Sequence, residues 1–277
     1  MQLLETCAQL RAWCQAGRAA SPLHFVPTMG ALHRGHGSLI ERAARRSHER
    51  RPRVLVSVFV NPLQFGPTED LGRYPRSLEA DMALAAAAGA DALFAPSVGE
   101  LYPAGADELT RVQPPRSLQE GLCGRHRPGH FDGVATVVLR LLGLIQPDQL
   151  LLGEKDWQQL VILQRVVHDL GLPVQVVGCP TQREPDGLAL SSRNRYLSAS
   201  QRQQATALPA ALAAAASKLQ PGCSLLALGQ QLRERLEQAG LVVDYVETVC
   251  PRSLQPQAQL SGLTLLAAAA HCGPSRL

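Results

Sequence analysis

The chain has 277 residues, 45% of them hydrophobic and 18% charged, enough apolar mass for one large or two modest domains with real cores. Its formal net charge is only +4 with the basic residues dispersed, so the electrostatic footprint of a nucleic-acid binder is lacking. No apolar run has the length of a membrane span, the N-terminus has no basic-then-apolar signal, and the scattered cysteines form no C-x-x-C pair, so a soluble cytoplasmic protein with reduced thiols is expected.

Residues 1–20 read as a helix with Leu3, Leu4, Leu10 and Trp13 on its apolar face. Leu23-His24-Phe25-Val26 reads as a strand, and Ser38 to Ala44 returns to helical periodicity. Between them lies Pro27-Thr28-Met29-Gly30-Ala31-Leu32-His33-Arg34-Gly35-His36, the turn from strand to helix. Gly30 and Gly35 let the backbone turn sharply and approach a ligand. His33 and His36 can share one face of the first helical turn, where N–H groups and a positive dipole end suit phosphate. Neither G-x-x-x-x-G-K-[ST] nor G-x-G-x-x-G occurs here, so imidazoles and helix N–H groups would meet the phosphate. A plain turn with two surface histidines is the competing reading; placement directly between strand and helix favours the functional one.

Arg42, Arg45, Arg46, Arg50, Arg51 and Arg53 cluster as a solvated helix face does. Arg53 to Val60 is a continuous apolar run suited to a buried parallel strand, stopped at Asn61-Pro62. Asn61 and Gln64 thus sit beyond a strand's carboxyl end, where open α/β sheets bind ligands, although a loop cap is the simpler reading of Asn61 alone. Ser77 to Ala88 reads as a helix, Asp91 to Ala95 as a strand, and Pro96 to His130 as loop-rich. Within it the basic, glycine-rich stretch Gly121 to Gly133 reads either as a flap over an anionic ligand or as a plain exposed loop. Helices over Gly133 to Leu144 and Gln158 to Leu170 alternate with strands over Gln149 to Leu152 and Val174 to Val177, which implies βαβ units around a parallel sheet. Gly153-Glu154-Lys155-Asp156 follows one of those strands. Lys155 can neutralise phosphate charge, and Asp156 can cap the next helix, hold a ribose or meet a metal ion.

After about Glu184 the pattern changes. Helices over Ser200 to Leu219 and Ser224 to Ala239 precede strands over Val242 to Thr248 and Leu263 to Ala269, which reads as a smaller α+β domain. The expected division is 1–183 and 184–277, hinged over Pro180–Gly187. Asp186 to Asn194 holds consecutive hydroxyls and an arginine, a mobile phosphate-gripping loop or an ordinary turn.

Together, P-T-M-G-A-L-H-x-G-H, F-V-N-P-x-Q-F, Y-P-R-S-L, R-P-G-H-F-x-G-V, G-E-K-D-W-Q-Q-L and D-G-L-A-L-S-S-R-N-R-Y-L resemble the pantothenate synthetases, or pantoate–β-alanine ligases, over about residues 1 to 272. The resemblance implies an α/β fold: a Rossmann-like parallel sheet of the nucleotidylyltransferase superfamily with a smaller α+β C-terminal lid domain. It also implies a homodimer that uses ATP and Mg2+ to condense pantoate with β-alanine, releasing AMP and pyrophosphate. On the matching positions, Met29, Gly30, Ala31, Leu32, His33, Arg34, Gly35 and His36 would line the ATP site, with His36 as proton donor. Gly153, Glu154, Lys155, Asp156, Leu190, Ser191, Ser192 and Arg193 would hold ATP, and the Gln182 backbone would lie against adenine. His33, Lys155 and Arg193 would share the developing phosphate charge with His36. Gln64 would contact pantoate and β-alanine, Gln159 would hold pantoate, Asn61 would support that pocket, and Asp81 would stand on the magnesium side.

The chain departs from the family pattern at Gly37, where a large apolar residue is usual, and at Gln182, where valine is common. Its G-L-C-G-R-H segment is longer than in many bacterial forms and resembles cyanobacterial and plant enzymes. Cyanobacterial forms can be fused to a C-terminal cytidylate kinase; these 277 residues contain no Walker-type P-loop and would hold no kinase part. Two other functions compete. A nucleotidyltransferase acting on a phosphorylated acceptor also uses H-x-G-H, but Asn61 and Gln64 favour a small acid over a phosphate ester. A nucleotide-binding regulator would not require His33, His36, Lys155 and Arg193 together.

Overall fold

The structure is a computed structural model that describes residues 1–45, 50–67, 69–260 and 262–277. In chain order the first elements are β1 (Gln2–Leu4), α1 (Cys7–Gly17), β2 (Leu23–Thr28), α2 (Arg34–Ala43), β3 (Arg53–Val58), α3 (Leu78–Ala87), β4 (Ala92–Phe94) and α4 (Val98–Leu101). Then come α5 (Arg116–Gln119), α6 (Leu122–His126), α7 (His130–Ile145), β5 (Gln149–Gly153), α8 (Trp157–Asp169) and β6 (Gln175–Cys179). The last are α9 (Ala199–Ala205), α10 (Ala207–Ala216), α11 (Leu225–Gln238), β7 (Val242–Val249), β8 (Leu265–Cys272) and β9 (Ser275–Arg276). They divide into two compact units, Met1–Pro114 with Gly129–Gln182, and Pro115–Pro128 with Arg183–Leu277.

In the first unit, among the described residues, six strands form a sheet in the order β1-β4-β3-β2-β5-β6, every neighbouring pair parallel. Successive side chains on a strand face opposite sides, and each strand here feeds two cores. Phe25, Leu55, Phe94 and Leu150 pack with Leu10 of α1, Leu141 of α7 and Leu163 of α8. Val26, Val54, Val56, Leu93 and Leu151 pack with Leu39 and Ile40 of α2 and Ala85 of α3. Each fully buried Val, Leu, Ile or Phe side chain among them contributes about 1.5–3 kcal/mol. From β2 the chain winds outward through β3 and β4, then crosses by α7 to β5 on the other flank of β2. The carboxyl ends of β2 and β5 therefore flank a topological switch point, where a sheet of this kind leaves a crevice for a ligand.

The N-terminus departs from the helix expected over 1–20. Leu3 and Leu4 lie in β1, opposite Leu93 and Phe94 of β4. The helix begins only after Thr6, whose Oγ1 accepts from Gln9 N–H at 3.1 Å while Gln9 Oε1 accepts from Thr6 N–H at 3.1 Å. That reciprocal capping box is written in the sequence as T-x-x-Q. The arginine cluster is not one helix face either. Arg51 pairs with Asp91 at 2.9 Å, Arg50 donates to Ala20 O, and Arg53 donates to Trp13 O at 2.7 Å with its guanidinium 3.7 Å from the Trp13 ring centroid. Arg46 lies outside the described residues.

The second unit packs α10 and α11 on the antiparallel strands β7 and β8, with Leu208, Ala211, Leu228, Leu232 and Ala270 in its core. The helix expected over Ser200 to Leu219 is broken at Thr206, because Pro209 has no N–H for a continuous ladder and fits only a first turn. Residues 115–128, placed in the first domain by the expected division, belong here. Arg125 pairs with Glu247 at 3.1 Å, Gln255 Nε2 donates to Ser117 O at 3.2 Å, and Arg276 Nη1 donates to Cys123 Sγ at 3.4 Å. The loop-rich stretch has three short helices, α4, α5 and α6. No helix among the described residues is long and apolar enough to cross a membrane.

Candidate active site

The turn after β2 is fixed by its own backbone. Gly30 has φ +85°, and a Cβ there would stand 2.9 Å from Val58 Cγ1 and 3.0 Å from Asp81 Oδ2, so only glycine fits without strain. Thr28 Oγ1 donates to Ser57 O at 2.6 Å and accepts from Gly30 N–H at 3.1 Å. Asp81, 2% exposed, reaches in from α3. Its Oδ2 accepts from Ala31 N–H at 3.0 Å and its Oδ1 from Leu32 N–H at 2.6 Å. Each Asp81 oxygen thus holds a backbone N–H of the motif turn, which makes it a buried clamp; its expected place on the magnesium side rests on the family resemblance alone.

α2 starts at Arg34, so that His36 lies on its first turn and His33 caps it. His33 Nδ1 accepts from Gly35 N–H at 3.1 Å, and His36 Nδ1 accepts from His33 N–H at 3.3 Å. The two imidazoles thus form a capping box, a task usually given to Ser or Thr with Glu or Gln. Their ring centroids are 4.1 Å apart. Since both Nδ1 atoms accept, each neutral ring carries its proton on Nε2. Though the residue keeps some surface exposure, burial of its ring, aided by neighbouring His33 and Lys155 and opposed by Asp156, pulls His36 down to about 3. The site therefore offers a neutral N–H donor.

Beyond β3, Asn61 caps a 3-10 turn over Pro62–Gln64 and is 1% exposed. Its Oδ1 accepts from Leu63 N–H at 3.3 Å and from the Tyr102 hydroxyl at 2.9 Å. Its Nδ2 donates to Gly133 O at 3.1 Å and Gln64 Oε1 at 3.0 Å. Gln64 Nε2 donates to Met29 Sδ at 3.1 Å, which joins this turn to the histidine motif. From α7, His130 Nδ1 meets Gln64 O at 2.8 Å, and Gly133 permits the close approach, since a Cβ would stand 2.2 Å from Leu63 O. Tyr102 and His130 were not singled out as site residues by the sequence. R-P-G-H-F was visible as a motif, but nothing in the spacing ties Tyr102 to Asn61.

At the end of β5, Glu154–Asp156 form a 3-10 turn leading into α8. Asp156 occupies the N-cap position without a capping bond from its side chain, so the expected cap is not made. Lys155 Nζ stands 3.5 Å from Asp156 Oδ1, both side chains well exposed. Because β5 runs parallel beside β2, this turn leaves the sheet at the same rim as the histidine turn. Glu154 Oε1 would stand 3.0 Å from a Cβ at Gly178, so glycine in β6 makes room for it. Gln159 is half-buried on the first turn of α8, and Gln158 beside it is buried. Gln182 ends the first unit, its Nε2 3.5 Å from Pro180 O.

Leu190, Ser191, Ser192 and Arg193 belong to the second unit. There Ser191 Oγ accepts from Arg193 N–H at 3.3 Å, Asn194 Nδ2 donates to Ala189 O at 3.0 Å, and the fully buried Ser275 hydroxyl donates to Arg193 O at 2.8 Å. Upstream, Arg202 pairs with Asp186 at 2.9 Å and Glu184 at 3.4 Å. The segment read as either a mobile loop or an ordinary turn thus carries hydrogen bonds or ion pairs at both ends. Among the described residues no cluster of three or more His, Cys, Asp or Glu could hold a metal ion, and with Asp81 engaged as a clamp the residues do not fit a resident magnesium site.

The family model for pantoate-beta-alanine ligase matches residues 2–277. A bifunctional pantoate ligase/cytidylate kinase of Synechococcus sp. (strain RCC307) is 57% identical over 99% of this chain and 53% of its own length. One from Thermosynechococcus vestitus is 52% identical with the same coverage. The chain spans about half the length of these relatives. Among solved structures, pantothenate synthetase from Thermus thermophilus superposes with a TM-score of 0.90 at 47% identity, covering 100% of this chain and 97% of that one. Pantoate-beta-alanine ligase from Francisella tularensis, complexed with beta-gamma ATP and beta-alanine, gives 0.81 at 34% identity, covering 100% of this chain and 95% of that one.

Proposed function

The chain belongs to the pantoate–β-alanine ligase family, and from that premise we propose that it joins pantoate to β-alanine with ATP through a pantoyl-adenylate. A free carboxylate is a poor electrophile for an amine and must first gain a leaving group. Attack of a pantoate carboxylate oxygen on the α-phosphorus forms an acyl–O–P bond and breaks the bond to the β-phosphate, releasing pyrophosphate. The β-alanine nitrogen then attacks the acyl carbon, forms the amide, expels AMP, and gives up its surplus protons to solvent.

The observation that carries this reading is the paired histidine cap at the switch point, beside Gln64 on the next strand end. Charge develops on the phosphates when pyrophosphate departs, and preorganised donors aimed at it lower the barrier. The Nε2–H groups of His33 and His36 are such donors, and Lys155 adds a cation on a side chain long enough to follow the phosphates. A ring that titrates at about 3 is protonated in roughly one molecule in ten thousand at pH 7, so His36 acts first as a neutral donor. A polyphosphate beside it would raise that value toward an acid's range.

Gln64 and Gln159 would hold pantoate, with Asn61 behind Gln64. ATP would enter as its magnesium complex, since magnesium commonly stays with substrate phosphates and several waters. The family resemblance further supports the assignment of Gln182 and of Leu190 to Arg193 to ATP, a homodimer and a cytoplasmic location. The test is isotope exchange between pyrophosphate and ATP, with pantoate present and β-alanine omitted. Pantoate-dependent exchange is expected. Exchange that waits for β-alanine would replace the adenylate by a concerted path, and no AMP from all three substrates would end the proposal.

A further inference from the structure

We propose that Tyr102 is a positioning residue for the acid substrate, acting through a hydrogen-bond relay whose polarity forces Gln64 to turn its amide nitrogen, a donor, toward that substrate. The inference rests on the ligase reading for the identity of the acid, and on geometry for the relay. An amide side chain can be turned either way about its last bond, so its polarity must come from neighbours that have no choice. Asn61 has two. Leu63 N–H can only donate and lies on the Oδ1 side at 3.3 Å; Gly133 O can only accept and lies on the Nδ2 side at 3.1 Å.

With Asn61 fixed, the rest follows. The Tyr102 hydroxyl, 2.9 Å from Oδ1, must donate. Burial raises the Tyr102 phenol well above its ordinary range, so it keeps the proton that donation needs. Asn61 Nδ2 in turn donates to Gln64 Oε1 at 3.0 Å, and Gln64 Oε1 is thereby used as an acceptor inside the protein. Gln64 Nε2 turns toward Met29 and the histidine turn. A group seated beside it must supply an oxygen acceptor, as a carboxylate or a hydroxyl oxygen does. Tyr102 is 2% exposed and Asn61 1%, so neither bond competes with bulk water. The Tyr102 ring packs edge-on against Phe59 at 5.7 Å, an arrangement that phenylalanine would keep.

The test combines Tyr102→Phe in the full chain with NMR exchange of the Asn61 Nδ2 hydrogens, measured without substrates. In the wild-type chain those hydrogens should exchange slowly. Exchange at the rate of an exposed amide overturns the relay, whether or not the variant folds. Tyr102→Phe should raise KM for pantoate about tenfold, leave KM for ATP within twofold, and speed Asn61 exchange. An unchanged pantoate KM, or equal rises for pantoate and ATP, overturns the positioning role, because a loosened fold would move both. If the wild-type chain forms no AMP from pantoate and β-alanine, the ligase reading fails while the exchange measurement still decides the relay.

Discussion

The turn after β2 is held by several hydrogen bonds to buried or capping side chains, whereas the turn after β5, one strand away, carries its charged side chains on exposed positions. In the first, Asp81 grips Ala31 and Leu32, Thr28 grips Gly30, and the two histidines cap α2 with their own rings. In the second, Lys155 and Asp156 stand 3.5 Å apart on exposed positions, and the N-cap side chain makes no capping bond. A hydrogen-bond donor must already stand in place when charge develops, because reorganising it would add to the barrier. A long cation can instead arrive with the phosphates. One site thus combines a rigid half with an adjustable half.

Cutting the clamp should break that contrast most deeply. Asp81→Ala would leave two buried N–H groups unsatisfied, and each such group is worth about 1–3 kcal/mol. Denaturant unfolding should show a loss of about 2–6 kcal/mol, with turnover down by about a thousandfold or more as the histidines lose their frame. Next, His36→Ala should lower kcat by about 100- to 1,000-fold while ATP binding changes by less than about tenfold. Equal losses in both would make His36 a ground-state binder. Lys155→Ala should lower kcat by about a hundredfold and leave unfolding free energy within about 0.5 kcal/mol, as expected for an exposed pair. A clear stability loss there would show that the second turn is as rigid as the first.

The smallest effect is on pH. Folded His36 stays neutral down to about 3, while its unfolded ring takes a proton below its ordinary value of 6.5. The unfolded state therefore binds more protons across that window, and stability falls as pH falls through it. The His36 share at pH 5 is at most about 2 kcal/mol. His36→Gln should flatten the stability profile between about pH 6.5 and pH 5 by that amount; an unchanged slope would place the ring in a more watery setting.

Much of the first unit was legible because its strands announce themselves as apolar runs ended by Asn-Pro or glycine. The placement of the histidine turn between strand and helix followed from that. Three things were hidden. β1 is three residues long and owes its existence to β4, some ninety residues away, so no local period reveals it. The capping role of His33 and His36 was hidden because imidazole is rarely a cap. The grip of Asp81 on the motif turn was hidden because an acidic residue on a helix carries no mark of the backbone it will hold. By contrast, Pro209 inside the alanine-rich run and T-x-x-Q at Thr6 were readable signals.

The chain has two tryptophans, and the fold sends them to opposite rims of the parallel sheet. Trp13 lies under Arg53, where β3 begins, with a guanidinium 3.7 Å from its ring centroid. Trp157 opens α8 immediately after Lys155 and Asp156, at the rim where the phosphates would sit. The molecule thus carries its own optical probe at one end and an internal reference at the other. A Trp13→Phe chain would report by ultraviolet emission from Trp157 alone, so that occupancy of the nucleotide end could be followed in real time without attaching a dye.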